Sequence, residues 1–243
     1  PPEFGNLADL RDLDISYNAL RGPVPATITS LTLLWVPLGD SHHPIVDLSH
    51  NQLWTDDPTI QAFLNTRAPG WPSTQQVAMR IVSSSMDGTL QMASQQGGRV
   101  SAYIPYGAVT EATTVVCYPL DAPGAALPSG YEFGGLAFDL VAYRHGEELG
   151  SLAFSKPVDL MLAYPDGQVA RLVEETLTLY LRDNGAWVDA ATTCTPASSY
   201  VRNPDTNTLR LDICHLSSFA LAGQRQSWPW ELSLPLVLRA HQP

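Results

Sequence analysis

The strongest constraint on this chain is an eleven-residue pattern near its start, Leu10-x-x-Leu13-x-Ile15-x-x-Asn18-x-Leu20. Alternation puts Leu13 and Ile15 on one face of a short strand. Asn18 stands at the turn that follows, where its amide can satisfy backbone groups left unpaired by the bend. A second, partial copy, Val46-x-Leu48-x-x-Asn51-x-Leu53, lies 33 residues further on. Such a unit cannot bury its apolar face alone, so the copies are expected to stack. The excess length between them falls in Trp35 to Pro44, predicted to loop out, and His43 stands where the second copy needs its first leucine.

The pattern resembles the leucine-rich repeat, and Gly22, Val24 and Pro25 add the Gly-x-[Ile/Val]-Pro extension of its plant-type form. The resemblance implies a repeat framework of Leu10, Leu13, Ile15, Asn18, Leu20, Val46, Leu48, Asn51 and Leu53, with Ile28 and Leu31 on the convex side. It also implies a concave surface for a protein or glycan ligand. In the competing reading the two copies only cap another domain and bind nothing. Repeats of this family recur every ~20–29 residues, and about three make a stable stack. Together with a start at Pro1-Pro2 and no initiator Met, this predicts a C-terminal fragment of a longer bacterial secreted or surface protein.

Residues 55–64 read as a capping helix, with Asp56 or Asp57 as N-cap, Pro58 in the first turn and Ile60, Phe63 and Leu64 on the apolar face. The first unit is thus expected over residues 1–72, and a Ser-, Gln- and Gly-rich linker over 73–98, with one strand at Val77 to Val82. From Arg99 the pattern changes to short apolar or alternating runs. They are Val100–Ile104, Thr113–Tyr118, Leu136–Tyr143, Val158–Ala163, Thr176–Leu181, Leu209–Ile213 and Phe219–Leu221. Asp166-Gly167, Asn184-Gly185 and Asn203-Pro204 mark turns between several of them. Seven such runs predict an antiparallel β-sandwich over 99–223, followed by a tail over 224–243. The expected fold class is α+β to mainly β: a short solenoid end joined to a sandwich.

Two motifs in the sandwich region resemble known families. The run from Val100 to Val109, with Ile104-Pro105-Tyr106-Gly107-Ala108, resembles the opening of the sandwich shared by netrin receptors, ankyrins and death-domain scaffolds. Cys214-His215-Leu216-Ser217-Ser218-Phe219-Ala220-Leu221 resembles the proteolysis-site motif of adhesion-receptor GAIN domains, with Trp187 and Cys194 upstream. Two departures stand out: Cys214 directly precedes His215, and only two cysteines fall where the receptors usually carry four. The resemblance implies cleavage in cis at Leu216–Ser217. His215 would accept the Ser217 hydroxyl proton, since a hydroxyl needs a nearby base to become a nucleophile. It also implies a Cys194–Cys214 disulfide pinning the turn. The alternative is a closing strand with His215, Ser217, Phe219 and Leu221 on one face. The tail, with Leu234-Pro235-Leu236-Val237, resembles the ends of some bacterial secreted surface proteins.

Charge narrows the partners. Thirteen basic residues, of which only Lys156 is a lysine, oppose 24 acidic ones, a net charge of −11 that argues against nucleic acid. No run of 18 apolar residues spans a membrane. His42, His43 and His50 read as solvated loop histidines, so no metal and no cofactor are expected. Glu147/Glu148 and Glu174/Glu175 read as loop charge, and Ser217 lacks a G-x-S-x-G context. Cys117 is expected as a buried core residue. A disulfide-forming pair favours an extracellular or cell-surface location.

Overall fold

The computed structural model describes residues 2–34 and 46–226. Four short strands come first: β1 (Leu13–Asp14), β2 (Arg21–Pro23), β3 (Val46–Asp47) and β4 (Gln52–Trp54). β1 pairs in parallel with β3, placing Leu13 opposite Val46, and β2 pairs in parallel with β4. Helix α1 (Pro58–Arg67) follows. Asp57 caps it, its carboxylate accepting from the N–H groups of Thr59 at 2.7 Å and Ile60 at 3.4 Å. Ile60 and Leu64 of α1 bury against Leu13, Val24, Ile28, Leu31, Val46 and Leu48.

These pairings overturn the leucine-rich-repeat assignment. Among the described residues there is no solenoid: two layers meet through strands of two or three residues. Two layers fall short of the ~3 that a stack needs, and α1 closes their apolar side. Of the framework residues, Leu13, Val46, Leu48 and Asn51 are buried, Leu10, Ile15 and Leu53 are half-buried, and Asn18 and Leu20 are exposed. The expected loop from Trp35 to Pro44, with His42 and His43, lies outside the described residues.

The rest of the chain is mainly β and antiparallel. The strands are β5 (Ala78–Val82), β6 (Gly88–Ala93), β7 (Arg99–Ile104), β8 (Thr113–Leu120), β9 (Tyr131–Arg144), β10 (Glu147–Leu149) and β11 (Ala153–Ala163). After a short helix α2 (Asp166–Val169) come β12 (Thr178–Asp183), β13 (Ala186–Asp189), β14 (Val201–Asn203), β15 (Thr208–His215) and β16 (Ser218–Gln224). The larger sheet runs β13-β12-β16-β9-β8-β5, with β10 paired to β9, and the smaller runs β14-β15-β11-β7-β6. All seven apolar runs lie wholly or mostly in strands. Residues 73–98 are not only a linker, because they supply β5 and β6, one at an edge of each sheet. The alternation there is real: in β6 Leu90 and Met92 point inward and Thr89, Gln91 and Ala93 outward. Polar outward residues masked it.

The two sheets bury their facing sides together. Val115, Cys117, Phe138 and Phe219 of the larger sheet meet Leu90, Val100, Leu160 and Ile213 of the smaller. Phe138 and Phe219 stack with centroids 5.1 Å apart. Cys117 is buried and unpaired, and burial raises its thiol pKa, so it stays protonated. β8 is buried on both faces, because its outward residues Val116 and Tyr118 lie under the N-terminal layer.

That junction joins the two parts. Trp54, 2% exposed, packs on Val116, Tyr118 and Tyr143. Its indole N–H donates to the Tyr118 hydroxyl at 2.6 Å, and the Tyr118 and Tyr143 hydroxyls lie 3.1 Å apart. The Arg21 guanidinium sits 3.8 Å over the Tyr118 ring and 2.5 Å from Asp139. Burial opposes the Arg21 charge, but the Asp139 carboxylate outweighs it and raises the Arg21 pKa. Gln52 donates to the Pro119 carbonyl, and Thr114 to Asp56. Truncating a buried tryptophan costs about 3–5 kcal/mol. Trp54→Ala is therefore expected to lower unfolding stability by about that amount, read as a shifted urea midpoint.

Candidate functional site

Two places warrant a functional reading: the link between β15 and β16, and the outer face of the N-terminal layer. At the first, β15 belongs to the smaller sheet and β16 to the middle of the larger one. Leu216 and Ser217 carry the chain from one to the other. Leu216 N–H donates to the Leu152 carbonyl at 3.2 Å, and the Ser217 carbonyl accepts from Leu140 N–H at 2.9 Å. The Ser217 hydroxyl donates to the Arg182 carbonyl at 2.6 Å. His215 is exposed, with its backbone opposite Ala153 of β11.

Among the described residues no hydrogen bond joins His215 to Ser217. The hydroxyl proton is engaged by a backbone carbonyl, which is no base at neutral pH. For Ser217 to act as nucleophile it must first leave Arg182 and find a proton acceptor. The single closing strand of the alternative reading is also absent. His215 ends one strand and Ser218 begins the next, in different sheets. A groove of about 480 Å³ lies beside this link, lined by Leu152, Leu181, Asp183, Thr193 and His215 among others.

A disulfide joins Cys194 to Cys214 with a Cα–Cα distance of 5.3 Å. It ties the end of a one-turn 3-10 helix, Ala190–Thr193, to β15. Asp189 caps that turn by accepting from Ala191 N–H at 3.0 Å. The Tyr200 hydroxyl lies 2.5 Å from the same carboxylate. Burial first, and then Asp189, push the Tyr200 pKa far up, so the phenol stays neutral. Trp187, upstream, donates to the Ala125 carbonyl at 3.3 Å. Asn184 and Gly185, both at positive φ, form the two-residue turn before it. The Ile104-Pro105-Tyr106-Gly107-Ala108 run ends β7 and turns, with Lys156 donating to the Tyr106 carbonyl at 2.9 Å.

The second place was not singled out by sequence. Tyr17 and His50 each precede an asparagine, 33 residues apart in the two copies. Their rings stack with centroids 4.0 Å apart and an interplanar angle of 9°. The Tyr17 hydroxyl lies 3.3 Å from His50 Nε2. Both residues are exposed, Tyr17 at 73%. Asn51, 1% exposed, holds the layer from within. Its oxygen accepts from Asn18 N–H at 3.2 Å and Leu20 N–H at 2.9 Å, and its amide donates to the Ile15 carbonyl at 2.8 Å and the Leu48 carbonyl at 3.0 Å. The signal in the sequence was the pair of aromatic rings at equivalent positions, Ser16-Tyr17-Asn18 and Ser49-His50-Asn51.

Among the described residues no three His, Cys, Asp or Glu side chains cluster as metal ligands, and no helix is long and apolar enough to cross a membrane. A comparison with protein-family models finds no match, and neither does a search of curated proteins. The motif resemblances therefore gain no family assignment, although the two packed sheets are compatible with a sandwich.

The disulfide closes a loop of 20 residues, for which the loop-entropy model gives about 3 kcal/mol. The Cys194→Ser, Cys214→Ser double variant is expected to lose about that much in urea unfolding under oxidising conditions. Under reducing conditions it should unfold together with the reduced native chain.

Proposed function

We propose that this protein is a non-catalytic binding module of the extracellular space or cell surface. Its ligand is a protein or glycan, held on the exposed face that carries Tyr17 and His50. The observation that carries this reading is the rigid, outward stack of those two rings on a layer that Trp54 and Arg21 lock to the sandwich. Exposed aromatic residues on a rigid frame supply contact area at small entropic cost. The disulfide supports an oxidising location. The test is binding of the whole chain to immobilised extracellular proteins and glycans. Tyr17→Ala is expected to weaken the interaction about tenfold without changing the unfolding midpoint.

A second reading, cleavage in cis at Leu216–Ser217, is favoured by one observation. The bond sits in a two-residue crossing between sheets, beside a cross-linked strand. Ser217 Oγ would attack the Leu216 carbonyl carbon, and its proton would pass through His215 to the leaving Ser217 amine. The Leu216–Ser217 amide then becomes an ester that water hydrolyses to the Leu216 carboxylate and the free hydroxyl. The engaged Ser217 hydroxyl weighs against it. The purified chain is expected to keep a single intact mass over days at neutral pH. A fragment spanning 217–243 that disappears in Ser217→Ala would instead establish cleavage.

A further inference from the structure

Independently of the ligand-binding face, we propose that β6 is a self-association edge. A second copy of this chain adds its own β6 there, antiparallel, across a twofold axis at Gln91. An edge strand presents backbone N–H and C=O groups without partners, and proteins guard such edges with charge, proline, shortness or cover. The end strands of the two packed sheets are β13 and β5 in the larger and β14 and β6 in the smaller. β13 has four residues and ends on Asp189, and β14 has three and carries Arg202. β5 carries the exposed Arg80. β6 has six residues, and no charged residue or proline occurs from Gly88 to Gly98. It is the end strand without a guard.

The second observation is room for an added strand. Among the described residues β7 alone pairs with β6, and no further backbone hydrogen bond reaches Thr89–Ala93. Antiparallel geometry turns the N–H and C=O of every second residue away from β7. The Arg80 side chain lies against Gly88, so the span open to pairing is Thr89–Ala93. Gln91, Met92 and Ala93 line two grooves. One, of about 280 Å³, reaches Ala78 of β5 and Pro119 of β8. The other, of about 440 Å³, crosses Ser101 of β7 and Met161 of β11. An added strand points its side chains alternately to two faces and needs space on both.

The third observation is self-complementarity, which selects a second copy as the partner. A twofold contact sets one patch against itself. Centring on Gln91 pairs Thr89 with Ala93, Leu90 with Met92 and Gln91 with itself, each across the axis. Exposed Thr89, Gln91 and Ala93 then meet exposed residues, and buried Leu90 and Met92 meet buried ones, so both copies keep their faces. The Gln91 amide both donates and accepts, so it can bond its own copy. A charged residue on the axis would meet its like. Pairing joins two five-stranded sheets into one. Net charge sets the salt dependence. Each copy carries −11, and the paired strands hold no ion pair to lose. Screening the repulsion between copies therefore strengthens the association.

The test is analytical ultracentrifugation of the whole chain from about 10 µM to about 1 mM, the range suited to a small interface. A reversible dimer is expected, tighter at higher salt. Gln91→Lys and Gln91→Glu should each weaken self-association at least about tenfold, because each sets like charges together. Unchanged unfolding midpoints will show that both variants stay folded. Mixing the two should restore a 1:1 pair, a rescue that lost folding cannot mimic. Amide exchange within Thr89–Ala93 should slow as concentration rises. A chain monomeric throughout, association indifferent to both variants or weakened by salt, or no pairing in the mixture overturns the proposal. So does full protection of those amides at the lowest concentration, which would mean that the chain covers this edge itself.

Discussion

The structure depends on one burial. Trp54, the last residue of a three-residue strand, lies on the outer face of the larger sheet with its N–H on the Tyr118 hydroxyl. A tryptophan brings a large apolar area and one polar atom that needs a partner when buried. Tyr118 supplies the partner, and Tyr143 packs edge-on at 4.8 Å. Around this contact Arg21 reaches Asp139 and covers the Tyr118 ring. An ion pair of this exposure adds little by itself. Beside a buried tryptophan it fixes orientation. The N-terminal layer is short in strands and long in loops, so its geometry derives from being seated on a sheet.

That seating leaves the two parts of the molecule unequally covered. The N-terminal layer packs against α1 through one cluster and against the sandwich through Trp54, and keeps its Tyr17–His50 stack in solvent. At the far end the Cys194–Cys214 cross-link and the Asp189–Tyr200 contact stiffen the loop beside the β15–β16 crossing. Ser217 is held there by a backbone carbonyl and not by His215. The crossing thus joins sheets, and the face proposed for binding lies elsewhere.

Much of the sandwich was legible because its strands obey a two-residue period and end at real turns. β7, β15 and the Asn184-Gly185 hairpin follow from alternation and turn chemistry alone. β6 escaped because Thr89, Gln91 and Ala93 point outward between its apolar residues, and a Ser- and Gln-rich composition suggested a linker. The leucine-rich-repeat reading failed for a different reason. The local pattern around Leu13 and Asn51 is strong, but a solenoid is a property of many layers, and two layers are closed off by a helix. For the candidate catalytic pair, the nearness of His215 and Ser217 in sequence says nothing about hydroxyl direction: a strand break intervenes and the Ser217 hydroxyl meets the Arg182 carbonyl.

The sequence by itself determined the mainly β class, the seven strong strand runs, a helix capped by Asp56 or Asp57, and a chain too acidic to favour nucleic acid. These are local or summed properties, set by period, capping and charge. Only the tertiary structure decided that residues 78–93 join the sheets, that Trp54 and Arg21 weld the two parts together, and that Tyr17 meets His50. The Tyr17–His50, Trp54–Tyr118 and Arg21–Asp139 contacts join residues from about 30 to 120 positions apart. Which distant surfaces meet depends on the apolar area left uncovered after local structure forms, and no short-range pattern carries that information.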